Sequence, residues 1–417
     1  MNAATAAAQA GPEGSSVKRH PLVMPHFRNL WIGATVSLLG DQFYLVALPW
    51  LVLQLTGSSL VLGTILMVTA IPRAALMLVG GAIADRFSAR RVLIGTATAR
   101  TFFVGAVAIL VWLRVIHLWH LYLLTFAFGV ADAFTLPAGP ALIPTLVEPQ
   151  QLQSANALMQ GSAVMTQMIG PAPAGLLIKF WGIAFALFFD ALSFLAVIIA
   201  LFKIPDPPKA PHPASGARPS VLHSIAEGLR AVRNDSALLF LMVIFAVLNF
   251  SIAGPVGIGL AALAKFRFGS AAIFGTFVSS FSGGMLGGMT IGGMIKRPRK
   301  RGLQFIAMAA LCGLELIGIG LFPKFASVAT LLALMGLGVG IVNVQFTTWI
   351  QMRVERAILG RVMSVLMFSA VGLIPVSYAI SGFVAQWHLL ALFVAAGALL
   401  VAAAAVALTS RAARELD

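Results

Sequence analysis

Six ionisable residues, Asp41, Arg73, Arg100, Asp132, Asp190 and Glu315, stand inside apolar stretches long enough to cross a bilayer. Placing such a charge at mid-membrane costs about 2.5 to 3.5 kcal/mol on insertion scales, so each must find a partner, water or a proton. Asp41 lies thirteen residues beyond Arg28, about 20 Å deep at 1.5 Å per helical residue, and Arg73 lies twelve before Asp85, about 18 Å deep. On adjacent antiparallel helices these depths match, which predicts an Asp41–Arg73 ion pair. Asp41 is then the first candidate for a proton or cation site in a water-filled cavity. The other reading of the same pair is a permanent buried contact that fixes helix packing.

The elements that must position these residues follow from composition. Of 417 residues, 59% are hydrophobic and 10% charged, with a mean hydropathy of +0.96. Soluble domains carry about 25% charged residues, so this chain is an integral membrane protein of the all-α class. Apolar runs of the roughly 20 residues that a spanning helix needs recur near 29–55, 59–84, 91–113, 118–146, 152–178, 181–203, 237–264, 271–295, 303–322, 326–351, 361–385 and 388–409. That is twelve spans. Residues 1–26 lack the apolar core of a signal peptide and read as a cytoplasmic tail. The expected domains are a six-helix bundle over 27–203, a Pro-rich cytoplasmic linker over 204–235 with an amphipathic piece around Leu222 to Val232, a second six-helix bundle over 236–410, and a tail over 411–417.

Charge fixes the orientation and excludes several functions. The net charge of +15 and pI near 11.2 would suit nucleic acid only as a basic face on a soluble domain, and here it sits in loops, so no nucleic-acid partner is expected. Of the 28 Lys and Arg residues, twenty-one fall in loops on the side of the termini and five opposite, which places both termini in the cytoplasm. The single Cys312 lies in an apolar run, excludes an intramolecular disulfide and reads as a packing residue. No Lys is followed by Ser or Thr and no His by Glu. The G-x-x-x-x-G-K-[ST] phosphate loop and the H-E-x-x-H zinc site are therefore absent, and neither an enzyme, an ATP-driven pump, a cofactor nor a metal is expected.

A charged loop from Gly80 to Ile94, GGAIADRFSARRVLI, has a faint copy at Gly292 to Leu303, GGMIKRPRKRGL, 212 residues on. Val147-Glu148 and Val354-Glu355 stand 207 apart. Two pairs at nearly one offset favour a six-plus-six duplication, a transporter architecture whose substrate site lies at midplane between the halves, over a coincidence of Gly-rich loops. Asp85, at the end of the second span, can accept hydrogen bonds from the amino end of another helix and pair with Arg when the halves close, a conformational latch; an anchor set by topology alone is the other reading. Gly170, Pro171 and Gly175 allow close backbone approach and a bend.

Gly81-Ala82-Ile83-Ala84-Asp85-Arg86, with Arg90 and Leu93, resembles the loop 2–3 signature of the major facilitator superfamily, with Ser88 and Ala89 in place of its later Gly and Arg. Gly170-Pro171-Ala172-Pro173-Ala174-Gly175, with Gly161 upstream, resembles the Gly-Pro-x-x-Gly-Gly element of that superfamily's antiporters, Ala174 standing for one Gly. The stretch Ser37 to Gln42, the stretch Leu48 to Gln54, and Leu359-Gly360-Arg361-Val362 resemble the macrolide-efflux and enterobactin-exporter branch. One departure is Thr125, which stands four residues before Gly129 where many proton-coupled drug antiporters carry Arg.

The resemblance implies two pseudo-symmetric six-helix bundles with helices 1, 4, 7 and 10 lining the cavity. That makes Asp132 the second candidate acid and brings Gln42, Tyr44, Asn249, Asn343 and Gln345 to the substrate cavity, with Trp50, Phe134, Phe250 and Trp349 as an aromatic wall. It puts Arg100, Asp190 and Glu315 on outer helices, in packing or interfacial roles. The expected latch is Gly81, Asp85, Arg86 and Arg90. The function implied is a secondary active transporter of the bacterial inner membrane, a monomer that exports a lipophilic or amphipathic small molecule by alternating access coupled to protons, with Asp41, Asp132 and Arg73 in the coupling. A lipid or lysolipid flippase of the same fold is the alternative, and a receptor-like protein that has lost transport is a third reading.

Overall fold

Buried backbone polar groups in hydrocarbon must bond internally, so apolar runs of this length become helices. The computed structural model describes residues 20–86, 88–205, 221–295, 300–355 and 358–410, without the side chains of 77–86, 136 and 221–225. Residues 1–19 and 411–417 of the expected tails, and the side chains of Gly81, Asp85 and Arg86, lie outside that description.

The helices are α1 (Pro25–Thr56), α2 (Ser59–Arg86), α3 (Ala89–Trp112), α4 (Leu118–Leu142), α5 (Leu152–Ile169), α6 (Pro171–Trp181), α7 (Ile183–Phe202) and α8 (Val221–Asn234), followed by α9 (Ser236–Gly254), α10 (Leu260–Leu263), α11 (Ala271–Met294), α12 (Arg301–Leu321), α13 (Phe325–Arg353), α14 (Leu359–Val371), α15 (Ile374–Trp387) and α16 (Leu389–Thr409). Local chemistry sets their ends. Pro25 opens α1 where its missing N–H costs nothing, and Gly57, at φ 63°, closes it by donating to the Leu53 carbonyl at 3.1 Å. Pro171 separates α5 from α6, because it has no N–H to continue the ladder. Between α9 and α16, α10 is flanked by π-helical turns at Pro255–Gly259 and Ala264–Phe268. Ser377 of α15 bridges the backbone there: it accepts from Gly254 N at 3.0 Å and donates to the Phe250 carbonyl at 2.5 Å.

Among the described residues, ten segments are long and apolar enough to cross a membrane. The bent α5–α6 rod and the glycine-rich α11 complete an arrangement compatible with the twelve spans expected. In the first bundle α2 packs on α4, and α3 and α1 pack on α7; in the second α11 packs on α13 and α12 on α16. The pairing of α2 with α4 and α3 with α7 thus recurs as α11 with α13 and α12 with α16, as a duplicated unit requires.

The bundles meet along α2–α15 and along α5–α6 against α11. A Cβ on Gly275 would lie 2.0 Å from the Pro171 carbonyl oxygen, and one on Gly175 would lie 2.4 Å from that of Ala271. Only hydrogen fits at either place. Ala172 N donates to Ser279 Oγ at 3.1 Å, and at the other seam Ser58 Oγ donates to Gln386 Oε1 at 2.8 Å. These contacts lie at the face away from the termini, the far face. Toward the terminus face the seam loosens: a Cβ on Gly283 would meet Met168 at 3.5 Å, and one on Gly161 or Gly287 would meet nothing within 4 Å. The two bundles thus approach backbone to backbone near the far face and less closely toward the termini.

Candidate functional site

Arg100, in the middle of α3, is where four helices converge. Its Nη2 pairs with Asp41 Oδ1 of α1, and its Nη1 stands 3.9 Å from Asp132 Oδ1 of α4. Asp132 Oδ2 in turn lies 3.2 Å from Arg73 Nε of α2. The guanidinium of Arg100 is sandwiched between the rings of Phe194 at 4.3 Å and Phe128 at 5.0 Å, and Phe128 stacks on Tyr44 with ring centroids 4.7 Å apart. Ring faces attract a desolvated cation by up to about 2 kcal/mol, which holds Arg100 within the bundle. Side-chain exposure falls along the chain of pairs, from 47% at Arg73 to 15% at Asp132 and 8% at Arg100, and rises to 27% at Asp41. The network has an accessible end, a dry centre and a partly accessible second acid.

This arrangement corrects the expected Asp41–Arg73 pair: Arg73 pairs with Asp132, and Asp41 with Arg100. Depth counted along a helix fixes height in the membrane but not direction around the axis. Consecutive helices need not pack, and α2 lies mainly on α4 while α1 lies mainly on α7. Arg100 and Asp190, expected on outer helices, likewise both face inward at α1. Asp190 has no exposed surface, and a Cβ on Gly40 would lie 2.8 Å from its Oδ1. The signal for both was in the sequence, a lone charge in an apolar run; what misdirected the reading was the assumption that α3 and α7 face away from the site.

The second bundle holds a cavity of about 310 Å³ between α9, α11, α12 and α13, within the size range of small-molecule sites. Phe245, Phe281, Met285, Met308 and Val339 supply much of its apolar wall, and Asn249 and Asn343 supply amides. Asn249 Nδ2 donates to the Phe245 carbonyl at 3.0 Å, which leaves its amide oxygen for another partner. Methionines adapt to irregular apolar shapes. Of the other expected cavity residues, Tyr44 belongs to the charged network and Gln345 is buried outside this cavity. Gln42 is buried at the α5–α6 bend, where a Cβ on Gly170 would lie 2.6 Å from its Cβ, and its Nε2 donates to the Leu38 carbonyl at 3.3 Å. Trp50 and Trp349 carry cations, Lys265 at 4.6 Å and Arg353 at 5.4 Å. Arg90 of the expected latch donates from Nε to the Leu201 carbonyl in the last turn of α7 at 2.8 Å, a contact within its own bundle.

The model of the Major Facilitator Superfamily matches residues 30–375. The chain belongs to this superfamily. It is similar to macrolide efflux protein A of Streptococcus pyogenes, at 24% identity over 81% of this chain and 84% of that protein. It is similar to the multidrug efflux pump Tap of Mycolicibacterium fortuitum, at 25% identity over 84% of this chain and 86% of the pump, and to the enterobactin exporter EntS of Shigella boydii, at 25% over 84% and 81%. Among solved structures, the nucleoside transporter NupG superposes with a TM-score of 0.74 at 15% identity, covering 92% of this chain and 99% of that one. A bacterial homologue of the iron transporter ferroportin in its inward-facing state gives 0.70 at 18%, with the same coverage. This superfamily member is a multi-pass membrane transporter of small molecules, not an enzyme.

Proposed function

We propose that this transporter exports a lipophilic or amphipathic small molecule by alternating access, driven by proton entry, as a monomer in the bacterial inner membrane with both termini cytoplasmic. The observation that carries the reading is the Asp41–Arg100–Asp132–Arg73 network, an ion-pair chain inside one bundle whose most exposed member is Arg73. A proton on Asp41 removes the charge that holds Arg100, and Arg100 then turns to Asp132, already 3.9 Å away. Asp132 in turn loosens its hold on Arg73. Each state binds the pairs differently, and only such a difference lets a proton shift a conformational equilibrium.

The apolar cavity with its two amides supports an amphipathic substrate. The excess of basic residues on the terminus side supports cytoplasmic termini. The three relatives are named as efflux proteins or exporters, which supports the direction.

The test is efflux of a labelled compound panel from proteoliposomes under an imposed pH gradient, with the parent and Asp41→Asn compared. Gradient-driven efflux should fall to the gradient-free level in Asp41→Asn while substrate binding persists, because the amide matches the protonated acid in shape. Parental gradient-driven rates in Asp41→Asn would make Asp41 a packing residue and Asp132 the leading acid. Movement of a fluorescent lysolipid in place of the compounds would favour lipid flipping.

A further inference from the structure

Asp190 takes no part in the exchange described above, yet it is fully buried on α7 and neither carboxylate oxygen has a hydrogen-bond partner. The neighbouring Ser193 hydroxyl donates to the backbone carbonyl of Asp190 at 2.7 Å. Three helices pack on α7. At this level α1 brings Asp41 and Tyr44 and α3 brings Arg100, with Asp132 and Arg73 behind it; α6 brings Lys179 alone, in its last turn. Asp190 lies against the backbone of Gly40, the residue before Asp41. Phe194, one turn along α7, covers the Arg100 guanidinium at 4.3 Å, so Arg100 lies on the face of α7 that carries Asp190.

Charge balance completes the argument. Asp41, Asp132 and Asp190 stand against Arg73 and Arg100, so full ionisation leaves one negative charge in excess. An unpaired carboxylate in an apolar interior is costly enough that the group takes up a proton instead.

We infer that Asp190 holds the one resident proton of this network and exchanges it with Asp41 as Arg100 changes partner. In the arrangement seen, Arg100 pairs with Asp41 and Asp190 is a neutral acid. In the other, the O–H bond on Asp190 breaks, one forms on Asp41, and Arg100, released by Asp41, is shared between the Asp190 and Asp132 carboxylates. One proton moves, and the five groups sum to zero charge throughout. The inference deepens the proton-coupled reading and rests on it.

The experiment is infrared spectroscopy of the purified transporter in lipid, in a Glu315→Gln background because Glu315 also has a buried oxygen without a partner. The parent should show the carbonyl stretch of one protonated buried carboxyl at neutral pH. Asp190→Asn should lose that band, and Asp41→Asn should lose it too, since Arg100 is then free to pair with ionised Asp190. Absence of the band from the parent, or its survival in Asp190→Asn, overturns the assignment; its survival in Asp41→Asn overturns the exchange. Should Asp190→Asn fail to fold, the parent and Asp41→Asn still decide. The band does not depend on transport. A protein that shows it while efflux ignores a pH gradient would sink the coupling reading and leave the resident proton in place.

Discussion

The two bundles share a backbone plan and differ in what fills it. At mid-span the first carries three acids and two arginines drawn from five helices; the second, among the described residues, carries one acid, Glu315, and its cavity is lined by apolar side chains and two amides. In the proposed alternating-access cycle the two bundles rock about a seam, and nothing in that motion requires the chemistry to be duplicated as well. In the proposed cycle, charge in one body and an apolar cavity in the other would separate what senses ions from what holds cargo. The two would then communicate through relative position.

The strongest way to break this comparison is to remove the cation at the centre of the charged bundle. Arg100→Leu leaves Asp41 and Asp190 without it, and breaking a buried pair costs about 3 to 5 kcal/mol. Thermal unfolding in detergent should show a large fall in midpoint, and adding Asp41→Asn in the same chain should recover much of it. An unchanged midpoint in Arg100→Leu would mean that the first bundle does not depend on its charges.

Next comes the seam. Gly275→Val sets a side chain against the Pro171 carbonyl, and overpacking costs about 1 to 3 kcal/mol. Spin-label distances across the far face should lengthen and transport should fall about tenfold or more, while unfolding of each bundle changes little. Unaltered distances would separate the seam from the conformational cycle.

A smaller effect probes the second bundle. Val339→Phe fills part of the 310 Å³ cavity, and should raise KM about tenfold while the dependence of efflux on pH keeps its shape. A changed pH profile would show that binding and ion sensing are not divided between the bundles.

The smallest effect concerns the start of α9. Asp235 caps it, accepting from Ala237 N at 2.9 Å and from Arg353 Nε at 2.9 Å. Burial pushes its carboxyl up, but the Arg353 bond and the two helix N–H groups outweigh that and hold it below the usual carboxylate range. With a depressed folded value, its stabilisation is complete at neutral pH and is lost as pH falls through that value. Asp235→Ala should cost about 1 kcal/mol and remove this component of the acid dependence of unfolding. An equal acid dependence in both proteins would refute it.

How much of this was legible beforehand divides along physical lines. The membrane helices follow from apolar run length, and the bend follows from Gly170-Pro171, because one proline acts on its own backbone. Asp41 and Asp132 were recognisable from the cost of a charge in hydrocarbon. Their partners were not, since height along α1, α2 and α4 can be counted while the direction each side chain takes around its axis is set by packing against helices distant in sequence. Arg100 and Asp190 stand 90 residues apart and meet only because α3 lies on α7. Asn249 and Asn343 share a cavity for the same kind of reason. Gly275, one of many glycines in α11, was invisible as a contact point until Pro171 was seen beside it.

The far-face seam is backbone against backbone, with neutral hydrogen bonds at Ser279 and Gln386 and no ion pair among its described contacts. Mobile ions screen exposed charges within about 10 Å at 0.1 M salt, and the charge this closure offers them is Lys265, over the Trp50 ring at 4.6 Å. The backbone contacts and neutral hydrogen bonds therefore keep their strength in dilute and concentrated medium, and the cation–π contact alone weakens as salt rises. In the proposed orientation, a swing in external salinity would act on that one contact and leave the backbone seam as it is.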